Sequence, residues 1–339
     1  MCGIAGWIDC RRLCDSAAIM RRMAQTMVPD SGGFYTDDNC ALAHRRLSVI
    51  DPARSAQPMT RKTALDSYTI VYNGELYNTA EIRSELESTG ISFTSSGDTE
   101  VLLWAYITWG EACLDKLNGI YAFAVWQEKE KQLFLARDRI GVKPLFYYEY
   151  AGGLIFASEI KTLLAHPMIE PVIDRDGIAQ IMLLGPARKP GSGIFKGIRE
   201  LRPAECAMYC RCGLRKRTYW SLHALPHKET VEETEQHIAY LLTDAIKRQL
   251  VSDVPLCTML SGGLDSSIIS AVAAREFEQS GRQLTTYSID YKDNEKNFHS
   301  SKFQPDMDAP WIRKKRPGRM IAGSRISTRL VAAITMIPS

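Results

Sequence analysis

The hydrophobic periodicity of this chain changes once, near residue 230, and any fold must accommodate both halves. Up to about Leu201 the chain consists of short alternating segments, and residues 68–72, 121–127, 132–136, 145–150 and 154–157 read as strands. Three helical periods interrupt them: 17–27, 80–86 ahead of Gly90, and 99–109 ahead of Gly110. Asp98 stands where it would cap the last of these. Clustered strands with few helices predict an α+β sandwich. After a linker-like stretch at 222–230 the order becomes helix (231–250), strand (255–260), a tight Ser261-Gly262-Gly263 loop, helix (264–277) and strand (284–289). Strand, helix crossover and strand begin a parallel α/β sheet. Two strands are too few to bury both faces of such a sheet, so the second domain reads as incomplete.

Composition narrows the class. With 339 residues, 45% hydrophobic and 24% charged, the chain is sized for about two domains. It is not wholly disordered, collagenous or a disulfide-dense miniprotein. No apolar run approaches the ~20 residues of a membrane span. The start lacks a basic stretch followed by an apolar one, so a cytoplasmic location is expected. Nine cysteines, odd in number and irregularly spaced, fit reduced thiols. Cys206, Cys210 and Cys212 lack a paired C-x-x-C and read as strand cysteines rather than a metal site. The net charge is +3, but the segment from Ala309 onward holds seven basic residues and no acid, which leaves −4 for residues 1–308. A mildly acidic body argues against nucleic-acid binding, and the 313–316 run reads as a solvated face.

Four constellations carry candidate chemistry. Cys2 follows Met1; removing Met1 would put a thiol and a free α-amine on one residue, a nucleophile beside its own base. Gly3, Ile4, Ala5 and Gly6 follow, small enough on average to let a backbone approach a substrate. Asn73-Gly74-Glu75, at the end of the 68–72 strand, could donate to an oxyanion through the Asn73 amide and the Gly74 N–H; Asn-Gly is equally a common turn pair. His44-Arg45-Arg46-Leu47-Ser48-Val49-Ile50-Asp51 offers an arginine clamp for a carboxylate, or a solvated basic face. Asp98 could pair with a substrate ammonium as well as cap a helix. Finally, Leu260-Ser261-Gly262-Gly263-Leu264-Asp265-Ser266-Ser267 sets a glycine pair between a strand and a helix, an anion-binding arrangement with hydroxyls to hand. It is not a Walker A loop, since no Gly-Lys-Ser/Thr follows.

These segments, together with Gly97-Asp98-Thr99-Glu100, Asn118-Gly119, the 136–145 stretch and Phe156-Ala157-Ser158-Glu159-Ile160-Lys161, make residues 1 to about 305 resemble glutamine-dependent asparagine synthetase. The Cys2 start alone would fit any class-II glutamine amidotransferase; the Ser-Gly-Gly-Leu-Asp-Ser-Ser loop narrows the resemblance to asparagine synthetases and relatives such as β-lactam synthetases. The resemblance implies an αββα N-terminal-nucleophile hydrolase sandwich (residues 2–210), then an incomplete PP-loop α/β domain (231–305) and an atypical basic tail (309–339). It implies that Cys2 attacks the glutamine carboxamide and that Asn73 and Gly74 form the oxyanion hole. Arg46, Leu47, Ser48, Val49, Ile50, Glu75 and Asp98 would bind glutamine, with Arg46 on the α-carboxylate and Glu75 and Asp98 near the α-ammonium. Leu260 to Ser267 and Ile289 would bind ATP, with Asp265 on Mg2+. Aspartate would be activated as β-aspartyl-AMP and amidated by the released ammonia. The expected partners are glutamine, aspartate and ATP, with a homodimer as the candidate assembly and neither nucleic acid nor membrane.

Two departures stand out. The family's Arg-Gly-Pro-Asp is here Met27-Val28-Pro29-Asp30, without the arginine and glycine, beside the glutamine pocket. From about Ala309 nothing resembles the family, and its later acidic motif and aspartate-binding residues do not follow; a truncated or frame-shifted product retaining at most glutaminase activity is the expectation. An inert glutamine-binding fragment is the alternative.

Overall fold

The computed structural model describes residues 2–11, 13–27, 31–46, 51 and 54–288, and the backbone of 321–325. They fall into two compact units, Met1–Ala224 and Leu225–Ser339.

In chain order the first unit runs β1 (Gly3–Asp9), α1 (Ser16–Gln25), β2 (Ser31–Thr36), β3 (Cys40–Arg46), β4 (Met59–Lys62), β5 (Ser67–Leu76), α2 (Thr79–Ser88), α3 (Asp98–Trp109), α4 (Cys113–Lys116), β6 (Gly119–Gln127), β7 (Gln132–Arg137), β8 (Phe146–Tyr150), β9 (Gly153–Ala157), α5 (Ile160–Leu164), α6 (Arg175–Leu184), β10 (Ile198–Glu200), β11 (Glu205–Cys210) and β12 (Gly213–Thr218). Two six-stranded sheets form, in the orders β10-β8-β9-β1-β3-β2 and β12-β11-β7-β6-β5-β4. Every pairing in both is antiparallel. The unit extends past the expected boundary at 210 because β12 pairs along the length of β11, from Glu205↔Thr218 to Cys210↔Gly213.

Side-chain alternation assigns each residue to a layer. Ile4 and Ile8 of β1, Leu42 of β3, Val71 of β5, Ala122, Ala124 and Trp126 of β6, and Leu133 and Leu135 of β7 form the core between the sheets. The intervening residues face outward. Ala5, Trp7, Ala41 and Ala43 meet Met20, Met23 and Ala24 of α1 and Leu163 of α5. Ile70, Tyr72, Phe123, Val125 and Phe134 meet Leu86 of α2 and Val101, Leu102 and Ala105 of α3. Helix, sheet, sheet, helix is the αββα sandwich expected. Burying a large side chain in such layers contributes roughly 1.5–3 kcal/mol relative to exposure.

The strands β1 and β3 carry no period-two signal in the sequence. Buried along most of their length, they show no polar alternation. Gly32-Gly33 in β2 disguises an edge strand as loop. Two local expectations are corrected. Asn73-Gly74 is not a turn: β5 runs straight through it, with Asn73↔Ala122 and Gly74↔Tyr121 in register. Asp98 is not the cap of α3, whose N-cap is Gly97; its carboxylate turns instead to β5.

The second unit holds α7 (Val231–Arg248), β13 (Cys257–Met259), α8 (Leu264–Gln279), β14 (Thr285–Ser288) and β15 (Ile321–Arg325). Thr230 and Glu233 cap α7 reciprocally. The strands β13 and β14 pair in parallel, Thr258↔Thr286, as the crossover pattern requires. Ala273, Ala274, Phe277 and Leu284 make a small core. A third strand, β15, adds antiparallel to β14, within the segment expected to be an atypical basic tail.

None of the nine cysteines is joined in a disulfide, and Cys206 and Cys210 lie in β11. Among the described residues no group of three or more His, Cys, Asp or Glu side chains could hold a metal ion. No described helix is long and apolar enough to cross a membrane.

Candidate active site

Parity and register direct Cys2, Arg46, Asn73 and Gly74 toward one end of the first unit. Cys2 directly precedes β1, and β1 pairs antiparallel with β3 from Gly3↔Arg45 to Ile8↔Cys40. The start of β1 and the end of β3 therefore share one end of the sandwich. The direction of β5 follows from two links across the sheets. Trp126, the partner of Thr69, donates from Nε1 to Asp37 Oδ2 at 2.7 Å, just ahead of β3. Near the other end of β3, the Tyr72 backbone lies close enough to the His44 ring to favour its protonated form. So β5 runs alongside β3, and Asn73 and Gly74 arrive at the Cys2 and Arg46 end. Alternation from Ile4, Leu42 and Val71 then puts Cys2, His44, Arg46 and Asn73 on the inward face.

Asn73 is 2% exposed, and its Nδ2 has no hydrogen-bond partner. A buried amide donor left unpaired costs about 1–3 kcal/mol, so the fold retains it at a loss. Gly74 admits no side chain: an added Cβ would stand 2.3 Å from the Ile120 carbonyl oxygen and 2.5 Å from Tyr72 Cε2. Gly74→Ala is therefore expected to push β5 off β6, lowering stability by about 1–3 kcal/mol and disturbing Asn73 with it; urea denaturation measures the first effect.

The glycines after Cys2 have a packing role that the sequence reading missed. A Cβ on Gly6 would lie 2.2 Å from Phe156 Cε1 and 2.8 Å from Leu42 Cδ2; one on Gly3 would lie 2.5 Å from Met27 Sδ. The strand start is also clamped by a residue given no role from sequence. Ser158 Oγ accepts from the Ile4 N–H at 3.0 Å, and the Ser158 N–H donates to the Ile4 carbonyl at 2.9 Å.

Arg46 donates from Nη2 to the Asp51 carbonyl at 2.9 Å. The Asp51 carboxylate accepts from Ser96 N and Oγ and from Arg54 N, all at 3.0 Å. The Ser96 amide leads in holding that carboxyl below its usual range. Asp98, 8% exposed, accepts from the Tyr72 hydroxyl at 2.9 Å and the Leu76 N–H at 3.2 Å. Burial raises its pKa, with neighbouring Glu75 adding to the effect. His44 is 1% exposed; burial, then the Arg46 charge, pull its imidazole down to about 4, so the ring is neutral at physiological pH. Leu47, Ser48, Val49, Ile50 and the 28–30 segment lie outside the described residues.

Gln57 is a further support without a sequence signal. Its Oε1 accepts from the Tyr72 N–H at 2.6 Å while its Nε2 donates to Thr99 Oγ1 at 3.1 Å, tying β5 to the first turn of α3. The 136–145 stretch also has a structural explanation. Buried Arg137 donates to the carbonyls of Gly141, Lys143 and Leu201, and Asp138 accepts from the N–H groups of Tyr121, Val142 and Lys143.

In the second unit the 260–267 segment is a strand–loop–helix junction. Gly262 takes φ +84°, Gly263 caps α8, and Leu260 is anchored by its N–H to the Tyr287 carbonyl at 2.8 Å. An open cavity of about 500 Å³ is lined by Thr258, Ser261, Gly263, Asp265, Ser266 and Ile269. The serine expectation is modified here: Ser266 and Ser267 direct their hydroxyls to the Gly263 carbonyl, at 3.1 and 2.8 Å. They brace the loop together with the Ser261 N–H, which donates to Ser266 Oγ at 3.3 Å. Asp265 is exposed in the first turn of α8. Ile289 lies outside the described residues.

Comparison with known proteins agrees with both halves. The profile for the glutamine amidotransferase domain matches residues 1–220, and that for asparagine synthase matches residues 237–314. Asparagine synthetase (glutamine-hydrolyzing) 3 of Bacillus subtilis (strain 168) is 49% identical over 319 residues, covering 93% of this chain and 52% of its own. Asparagine synthetase (glutamine-hydrolyzing) 1 of the same organism is 33% identical over 300 residues, covering 86% and 46%. A solved structure titled as the allosteric regulatory enzyme of purine biosynthesis superposes with TM-score 0.47 at 19% identity, covering 64% of this chain and 49% of that one. The chain spans about half the length of the curated relatives it matches. With the domain profile matched across residues 1–220, a span that includes Cys2, Arg46, Asn73 and Asp98, the chain belongs to the glutamine amidotransferase domain family.

Proposed function

We propose that the first unit is a glutaminase and that the second begins the ATP-dependent half of an asparagine synthetase. The observation that carries this reading is the convergence of Cys2, Arg46 and the unpartnered Asn73 amide at one end of the inter-sheet layer. With Met1 removed, the α-amine of Cys2 takes the thiol proton, and the sulfur attacks the carboxamide carbon of glutamine. Negative charge builds on the amide oxygen, where the Asn73 Nδ2 and the Gly74 backbone stabilise it. The C–N bond breaks, the nitrogen leaves with the proton as ammonia, and water hydrolyses the thioester to glutamate. Arg46 fits the α-carboxylate, and Asp98 with Glu75 the α-ammonium.

In the second unit the Leu260–Ser267 junction suits a polyphosphate. One exposed carboxylate, Asp265, fits Mg2+ that is borne largely by the phosphates, a common mode for this ion. When bound, the ion neutralises phosphate charge. Aspartate as acceptor, with β-aspartyl-AMP formed and then amidated by ammonia, completes the synthetase reading.

The test is direct. Purified chain should release ammonia and glutamate from L-glutamine and lose that activity on treatment with a diazoketone analogue of glutamine. Intact-mass and peptide analysis should place one adduct on Cys2. Adduct elsewhere, or hydrolysis surviving full labelling, overturns the reading.

A further inference from the structure

Buried polar atoms without partners are few in folded proteins, and each calls for a reason. Beside Asn73 Nδ2, His44 Nε2 and Arg45 Nε, a further one lies near the candidate site. Ser55 is 3% exposed, and its Oγ has no hydrogen-bond partner. Its surroundings are specific. The Ser55 N–H donates to the Asp51 carbonyl at 3.2 Å, the same oxygen that accepts from Arg46. On its other side the hydroxyl abuts Gly97: a Cβ built there would lie 2.0 Å from Ser55 Oγ. Gly97 is the residue before Asp98 and caps α3. The hydroxyl thus lies against the residue that precedes Asp98, while the Ser55 backbone shares the Asp51 carbonyl with Arg46. The hydroxyl can offer one donor and two acceptor sites, and no protein atom uses any of them.

We propose that Ser55 is a substrate-recognition residue of this pocket, its hydroxyl oxygen accepting a hydrogen bond from the α-ammonium of the bound carboxamide amino acid beside Asp98. The identity of the ligand rests on the glutaminase reading above. The small Gly97 is what leaves room for the hydroxyl, and Ser55 makes the pocket select for an α-amino group rather than for the amide alone. Hydrogen bonds to charged groups are stronger than those between neutral ones, so losing this one should be visible in affinity.

Ser55→Ala removes an oxygen that bonds no protein atom, so the variant should fold as the parent does. Expected is a rise of about ten-fold in KM for L-glutamine with kcat within about two-fold. Hydrolysis of 4-carbamoylbutanoate, the same amide without the α-amine, should be unchanged by the substitution. Equal losses on both substrates, or no change on either, overturn the proposal and leave the hydroxyl as a water site. A thermal-shift titration with L-glutamine separates this from the wider reading. If the parent chain binds glutamine without hydrolysing it, the glutaminase assignment falls, and the proposal then stands or falls on whether Ser55→Ala weakens that binding selectively against 4-carbamoylbutanoate. A parent chain that binds no glutamine overturns both.

Discussion

Asn73→Ala should lower kcat for glutamine hydrolysis by about 10²–10³ while leaving KM close to the parent value. The Asn73 Nδ2 has no hydrogen-bond partner in the substrate-free fold, so its removal breaks no donor bond there. Under the proposed mechanism its donor is used only where an oxyanion forms. Steady-state kinetics on the variant decide this: a KM rise with unchanged kcat would make Asn73 a ground-state contact, and an unaltered enzyme would remove it from the chemistry. Cys2→Ala is the companion control and should abolish turnover altogether, since the proposed mechanism makes Cys2 the nucleophile.

The second large effect is on stability. Glu100→Ala should cost about 3–5 kcal/mol, the range for breaking a buried ion pair by deleting one partner. The Glu100 carboxylate is fully buried and accepts from Thr94 N, Ser95 N, Ser95 Oγ and Arg61 Nε. Removing it takes the shared acceptor from Thr94 and Ser95, beside the turn that leads to Asp98, and leaves Arg61 only the Thr60 carbonyl and the Thr94 hydroxyl. Urea midpoints for the two proteins measure the loss. The pH dependence has a definite sign. Burial alone would raise the Glu100 pKa, but the Ser95, Thr94 and Arg61 bonds together outweigh it and hold the value below 4.5. A depressed carboxyl stabilises the fold above its unfolded pKa and loses that contribution as pH falls through the folded value. His44 acts in the same direction over a higher window. It must stay neutral when folded, so protonation of the unfolded chain erodes stability from about pH 6.5 down to about 4. Asp98 opposes both, because its raised pKa costs stability as pH climbs past 3.8. In the parent protein stability should therefore fall from pH 7 to pH 4, and in Glu100→Ala the lower part of that slope should flatten.

Much of this architecture could be read from residue patterns. Segments such as 121–127 and 132–136 declared themselves as strands, and the helix after Gly97 ended where Gly110 predicted. The 255–289 segment announced a parallel crossover, and β13 and β14 pair that way. What stayed hidden has a common cause. Cys40–Arg46 is a strand because β1 and β2 flank it, and Asn73-Gly74 is extended because β6 holds it in register; neither partner is local. The same applies to the site. Cys2, Arg46 and Asn73 could each be singled out from sequence. Ser55 and Gln57 could not, and Ser158 stood out only as part of a segment, because their roles depend on Gly97, Tyr72 and Ile4, which are distant in the chain.

Arg45 and Arg46 are adjacent and carry the same charge, yet the pleat of β3 sends them to opposite sides of the sheet, and only Arg46 faces the layer between the sheets. Inserting or deleting a single residue within β3 would exchange them. Composition and charge would survive such an event while the pocket lost its arginine. The family's tolerance for insertions should therefore be confined to loops, and length changes inside β1, β3 or β5 should be far more damaging than most substitutions at the same positions.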